Sequence, residues 1–369
     1  MIRCLLIVFI LSGCGYAETS EAIATSKDCE KNTSSIEVLM KCAENGNVNS
    51  QFALGAQYMQ GIGVKQDFHK AFHWTKIAAD QGIVGAQINL GKLYELGLGV
   101  EQDYQKAFEW TQKAANKGSF IALNNLADYY NRGVGVERDV KKATGYYKIL
   151  AEKGDAGGQM NLGFAYFYGV GIEKDIDKSI KWITKAADQG FEPAMLSLAS
   201  TYQDLGNQKE AIFWARKAVK HSNGALAQAT LGNVLALSND KLYYDEAMEL
   251  LDAAMKRGEP RAFFLMGSLH SERNNIFPYD ESKAYQYYLQ AVEMKYAPAQ
   301  YQLGNWLMKG RYVHKNELEA LKLYEASAEA GIQEAIQKLV EIYHKGTSDI
   351  SKDEAKAKYW QNKLINVSE

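Results

Sequence analysis

Residues 86–118 read AQINLGKLYELGLGVEQDYQKAFEWTQKAANKG, and the rest of the chain is organised around this stretch. Shifted by 36 residues it returns: Leu54-Gly55, Leu90-Gly91, Leu126-Ala127 and Leu162-Gly163 fall in step. So do Tyr58, Tyr94, Tyr130 and Tyr166, then Asp67, Asp103, Asp139 and Asp175, then Trp74, Trp110, Tyr146 and Trp182. A period of that length predicts a stacked array, in which one unit cannot bury its apolar face without its neighbours.

Within the unit, Ala86, Leu90, Gly91 and Tyr94 lie on one face of a helix. Gly97 and Gly99 end it, because glycine accepts the left-handed conformation that closes a helix C-terminus. Val100 returns to the core, and Asp103 is placed to cap a second helix by accepting from its free N–H groups. Ala107, Trp110, Ala114 and Ala115 form the inward stripe of that helix, and Gly118 ends it. Small residues at Gly91, Ala107 and Ala114 allow close approach, with Tyr94 and Trp110 filling the remaining volume. The unit is an antiparallel helix pair, and the fold class is all-α.

The recurring pattern Ala-x3-Leu-Gly-x2-Tyr-x2-Gly-x-Gly-Val-x2-Asp-x3-Ala-x2-Trp-x3-Ala-Ala-x2-Gly resembles the Sel-one-like repeat, a relative of the tetratricopeptide repeat. Four near-complete copies start at Ser50, Ala86, Ala122 and Gly158; degenerate copies follow from Ala194, Ala227, Ala262, Ala299 and Ala335. The resemblance implies a right-handed α-solenoid whose concave surface holds other proteins, and it implies no particular partner.

At the N-terminus, Arg3 precedes a short apolar run, Leu5 to Leu11, far below the ~20 residues that span a bilayer. Residues 1–13 therefore read as an export signal. The sequence Leu11-Ser12-Gly13-Cys14 resembles the bacterial lipobox, in which Cys14 becomes acylated and forms the mature N-terminus. Gly15 after it resembles outer-membrane sorting. Several acyl chains at ~0.8 kcal/mol per buried CH2 would anchor the protein firmly. Residues 14–33 are polar, without helical periodicity, and read as a tether with a reach of about 60 Å when extended. Residues 34–365 form the solenoid, with no Pro/Gly/Ser-rich linker to divide it.

Loss of residues 1–13 removes Arg3, so 42 basic residues become 41 against 44 acidic. This balance gives no electrostatic reason to bind nucleic acid. Cys29 and Cys42 remain after Cys4 is cleaved and Cys14 acylated. In an oxidising compartment they form a disulfide or stay as two thiols, and both readings stand. Cys42 aligns with Ala78 and Ala114, which makes Ser34 to Asn45 the second helix of an incomplete leading unit.

After Gly190 the Gly-x-Gly-Val connector is lost. Tyr202 to Ala211 has a shorter turn, while Ser271–Pro278 and Gly310–Lys315 are unusual connectors. Drift and partner-specific loops both account for them.

No catalytic constellation emerges. The Gly-x-Gly pairs lack a third glycine and join two helices rather than a strand to a helix, so they are turns. His69 and His73 are four apart, but their counterparts Gln105 and Glu109 are surface-like. There is no Gly-x-Ser-x-Gly elbow, Cys-x2-Cys pair or His-Glu-x2-His helix. No cofactor or metal is expected.

Helix positions two before and two, five and six after the recurring Leu point away from the intra-repeat core. By the resemblance they line the groove. The second unit gives Ile88, Lys92, Glu95 and Leu96; the third gives Asn124, Asp128, Asn131 and Arg132. The fourth gives Met160, Phe164, Phe167 and Tyr168, all apolar or aromatic, which is uncommon on an unpartnered surface. Leu196 and Phe264, with Tyr301, extend the strip in later units. Either a protein partner or neighbouring helices cover this cluster.

The sequence thus predicts a lipid-anchored, non-enzymatic scaffold in the envelope, facing the periplasm, with a protein partner and a membrane contact through its lipid. The family resemblance also implies an alternative: an immunity protein that blocks a toxin delivered by type VI secretion. A β-lactamase-like enzyme is the lesser alternative, since the chain lacks the cysteine pattern of those relatives.

Overall fold

The protein is described by a computed structural model covering residues 36–238, 240–272 and 277–368. The proposed signal, Cys14, the tether and Cys29 lie outside the described residues. Among these residues there are α-helices and one short 3-10 turn (Lys241–Tyr243), and no strand. The chain divides into two compact units between Ala194 and Met195, a point inside one helix, α10 (Glu192–Asp204).

The first unit opens with α1 (Ile36–Glu44), a single helix within the Ser34–Asn45 span assigned to the incomplete leading unit. It packs on α2 (Val48–Gln60), which pairs with α3 (Phe68–Asp80). Three more hairpins follow: α4 (Val84–Leu96) with α5 (Tyr104–Asn116), α6 (Phe120–Arg132) with α7 (Val140–Glu152), and α8 (Ala156–Tyr168) with α9 (Ile176–Asp188). α3, α5 and α7 also pack on the next first helix, so neighbouring hairpins share their apolar surface. One continuous core runs through Leu90, Tyr94, Ala107, Ala114, Leu126 and Leu150.

Local sequence sets the hairpin geometry. A Cβ at Gly91 would lie 2.8 Å from Thr111 Oγ1 and 3.1 Å from the Ala107 carbonyl, so only glycine permits this approach of α4 to α5. The caps are the recurring aspartates: Asp67, Asp103, Asp139 and Asp175 accept from the N–H three residues on, at 2.9–3.0 Å. Sequence reading missed the lysine at that same third position. Lys106 and Lys178 pair with their capping aspartates at 3.0 and 2.9 Å and lie over the rings of Tyr94 and Tyr166. The signal was present as Asp-x2-Lys after each connector. Hydrogen bonds from the Lys106 backbone N–H and ammonium hold the Asp103 carboxyl below its usual range, and the pairing raises Lys106.

Trp74 and Trp110 pack against the core as expected, but from its margin. Trp74, Trp110 and Trp182 are only half-buried. Thr111, beside Trp110, is buried instead, because Ala107, Thr111 and Ala114 lie at the centre of the helix face and Trp110 on its flank. Lysine covers the outer face of two of these rings, with Lys113 at 3.7 Å from Trp110 and Lys185 at 3.9 Å from Trp182.

In the second unit, α11 (Gln208–Ser222) packs on α12 (Ala225–Ala236), which pairs with α13 (Tyr244–Lys256). Hairpins α14 (Pro260–Ser271) with α15 (Glu281–Glu293), α16 (Ala297–Lys309) with α17 (Glu317–Glu329), and α18 (Gln333–Lys345) with α19 (Glu354–Ser368) complete it. A second core includes Tyr288, Trp306, Tyr324, Leu339 and Trp360. The connector Gly310–Lys315 proves regular in length: Gly310 to the capping Asn316 matches Gly97 to Asp103, with Tyr312 standing where Gly99 does. Tyr312 keeps the left-handed backbone, at φ 65°.

Candidate partner-binding face

In the first unit the outward sides of α4, α6 and α8 lie next to one another. Tyr129 of α6 donates its hydroxyl to Glu95 of α4 at 3.1 Å, and Asn161 of α8 donates to Asn124 of α6 at 3.3 Å. Glu95 is only 8 % exposed. It is satisfied by Lys92 at 3.0 Å and approached by Arg132 at 3.7 Å, while Arg132 also holds Asp128 at 2.8 Å. A buried carboxylate survives because cations and a hydroxyl surround it. Burial, followed by the charge of Glu95, pushes the Tyr129 phenol up and keeps it protonated as a donor. Burial alone would lower Arg132, but the hydrogen bond and charge of Asp128, with Glu95, outweigh it and raise the guanidinium. Tyr129 was not among the sequence candidates, since three residues after Leu126 it reads as core.

The fourth-unit cluster lies at the end of this face. Beneath it Leu162 is fully buried, whereas Met160, Phe164 and Phe167 are half-buried and Tyr168 is 55 % exposed. Phe167 and Tyr168 meet edge to face at 4.9 Å. Leu96, at the equivalent position of α4, is also exposed.

The two later members of the predicted strip belong to the second unit and are less open. Leu196 is buried at 8 % exposure. Phe264 is half-buried, with its ring 5.8 Å from Tyr288 and 5.7 Å from Tyr296; Tyr301 packs towards Tyr324 at 5.9 Å. These aromatics fill volume inside their own unit.

Other candidates resolve locally. His69 Nδ1 lies 3.1 Å from the Gly99 carbonyl and His73 packs edge-on to Trp74, so the two imidazoles have separate roles. Cys42 is buried, 5 % exposed, and disulfide-bonded, which excludes the free thiol at that position. Cys29 lies outside the described residues. Among the described residues no cluster of His, Cys, Asp and Glu could hold a metal, and no helix is long and apolar enough to cross a membrane.

No curated protein matches the chain. Among solved structures, the protective antigen c5321 of uropathogenic Escherichia coli, which displays an SLR fold, is 27 % identical over 90 % of this chain and 80 % of its own, with a TM-score of 0.41. A Sel1 repeat protein from Oxalobacter formigenes is 26 % identical over 89 % of this chain and 98 % of its own, TM-score 0.49. The immunity protein Pa5087 of Pseudomonas aeruginosa is 21 % identical over 68 % and 82 %, TM-score 0.40. The family model for the Sel1 repeat matches residues 48–83, 84–119, 121–155, 156–191, 194–223, 260–296, 297–332 and 335–363. It passes over 224–259, where α12 and α13 nevertheless form the hairpin expected from Ala227. With eight copies spanning most of its length, and with the helix pairs they predict in place, the chain belongs to the Sel1 repeat family.

Proposed function

We propose that this protein is a lipid-anchored, non-enzymatic scaffold of the bacterial envelope that holds another protein against the outer sides of α4, α6 and α8. Sel1 repeats are typical of protein-interaction scaffolds. The observation that carries the reading is the α8 cluster. Met160, Phe164 and Phe167 stay half-buried and Tyr168 open on a helix whose opposite face, at Leu162, is fully buried. Apolar and aromatic anchors of this kind dominate interface energies. The anchor rests on the sequence Leu11-Ser12-Gly13-Cys14, and the periplasmic location follows from it as part of the proposal. Cys29 is the proposed disulfide partner of Cys42, tying the tether to α1.

The test compares the soluble Cys14→Ser protein with the same protein carrying Phe164→Ser and Phe167→Ser in pull-downs from envelope extract. Specific capture should be lost in the variant while helical content and melting stay unchanged. Collapse of the fold would make these residues core, and undiminished capture would move the site elsewhere. Labelling with radioactive palmitate, abolished by Cys14→Ser, checks the anchor.

A further inference from the structure

The third hairpin departs from its neighbours at one end. Where α6 begins, Phe120-Ile121 stands in the place of Val84-Gly85 in α4 and Ala156-Gly157 in α8. In the last turn of α7, Ile149 stands in the place of Lys113 in α5 and Lys185 in α9. Stacking does not ask for this apolar bulk, since the hairpins on either side pack without it. All three side chains are exposed: Phe120 by 39 %, Ile121 by 61 % and Ile149 by 42 %. Antiparallel pairing brings them to one corner, where Lys153, a turn beyond Ile149, lies over the Phe120 ring at 5.8 Å.

We propose that this corner rests in the surface of a phospholipid bilayer, so that the start of α6 and the end of α7 face the membrane. This rests on the anchored reading and adds an orientation to it. The exposed area favours lipid over a protein. Three partly exposed side chains present on the order of 250 Å2, against the ~800 Å2 per partner of a stable protein interface, and a lipid surface needs no matching shape. The charges agree. Lys148 pairs with Glu152 at 3.9 Å and Asp155 caps the Gly158 N–H at 2.6 Å. Lys153, and Lys117 held by the Gly82 carbonyl at 2.5 Å, are exposed and have no carboxylate partner among the described residues. Lysines in this position keep their ammonium groups at the headgroup phosphates while apolar neighbours go deeper. The chain outside the described residues also fits. A tether of about 60 Å is roughly three times the ~20 Å length of these 13-residue helices, so a bilayer holding Cys14 can meet either end of the hairpin. At that range the tether supplies the local concentration that lets three side chains suffice.

The test holds the mature Cys14→Ser chain on vesicles of phosphatidylethanolamine and phosphatidylglycerol through an N-terminal histidine tag and a nickel-chelating lipid. The outcome then does not depend on acylation. A nitrobenzoxadiazole dye is attached at Ile121→Cys, or at Glu101→Cys in the connector at the opposite end of the neighbouring hairpin. The dye at 121 should shift to the blue and be quenched by lipids brominated in their tails, while the dye at 101 stays aqueous. Adding Phe120→Ser and Ile149→Ser should weaken the lipid-bound population about tenfold, with melting unchanged. An aqueous dye at 121, or equal quenching at both positions, would overturn the proposal. So would a blue shift at 121 that grows with protein concentration in the absence of vesicles, which would make the corner a contact between copies of this chain. Quenching at 121 in a protein that fails to incorporate palmitate would refute the acyl anchor and still support the lipid contact.

Discussion

The second glycine of each connector gives the sharpest test of how the repeats are held together. Gly63 and Gly135 have nearly the same backbone, φ 72° and 66°. Alanine at either one incurs the left-handed penalty, roughly 1–2 kcal/mol, partly offset through the unfolded state. Their surroundings differ. A Cβ at Gly63 would meet nothing within 4 Å, because no complete hairpin precedes it. A Cβ at Gly135 would lie 1.9 Å from the Tyr104 carbonyl oxygen and 2.5 Å from its carbon, at the first residue of α5 in the preceding hairpin. That contact has to open by more than about 1 Å, and neither partner is a flexible side chain, so overpacking adds ~1–3 kcal/mol. Gly63→Ala should therefore cost about 1 kcal/mol and Gly135→Ala about 2–5. Gly145→Ala is the counter-control: inside α7, with nothing near its Cβ, it should stabilise by ~0.5–1 kcal/mol. Urea unfolding of the full chain followed by far-UV circular dichroism reads all three. Equal midpoints for Gly63→Ala and Gly135→Ala would refute the idea that the connector is an inter-hairpin contact rather than a turn.

Two further outcomes are expected. Glu317 is 2 % exposed and accepts from Ser348 at 2.8 Å, the Asp349 N–H at 2.9 Å, Thr347 and Lys315. The Lys315 hydrogen bond, then that of Thr347, pulls its carboxyl from 4.5 down to about 2. A depressed carboxyl stabilises the fold above the unfolded value and loses that contribution as pH falls through the folded one. Glu317→Gln should thus lower the melting temperature at neutral pH, with the difference from the parent shrinking between pH 4.5 and 2; a constant difference would sink the assignment. Lys295, exposed at φ 58°, stands where α3, α5, α7 and α9 are followed by glycine, so Lys295→Gly should gain ~0.5–1 kcal/mol, seen as a raised unfolding midpoint.

The repeat, the helix pairing and the caps were legible in the residues alone. These are local matters: in the first unit a 36-residue period, glycine at the positive-φ connector positions, and aspartate one residue before each second helix recur in plain view. The fate of side chains between helices far apart along the chain was settled by packing. Trp110 read as core but lies on a flank under Lys113, and Leu196 read as open but is buried. Tyr129, which no local pattern singles out, donates to a carboxylate 34 residues away. Periodicity fixes the direction a residue points from its own helix axis. Whether another helix stands in that direction depends on how hairpins pack, and no local pattern records it.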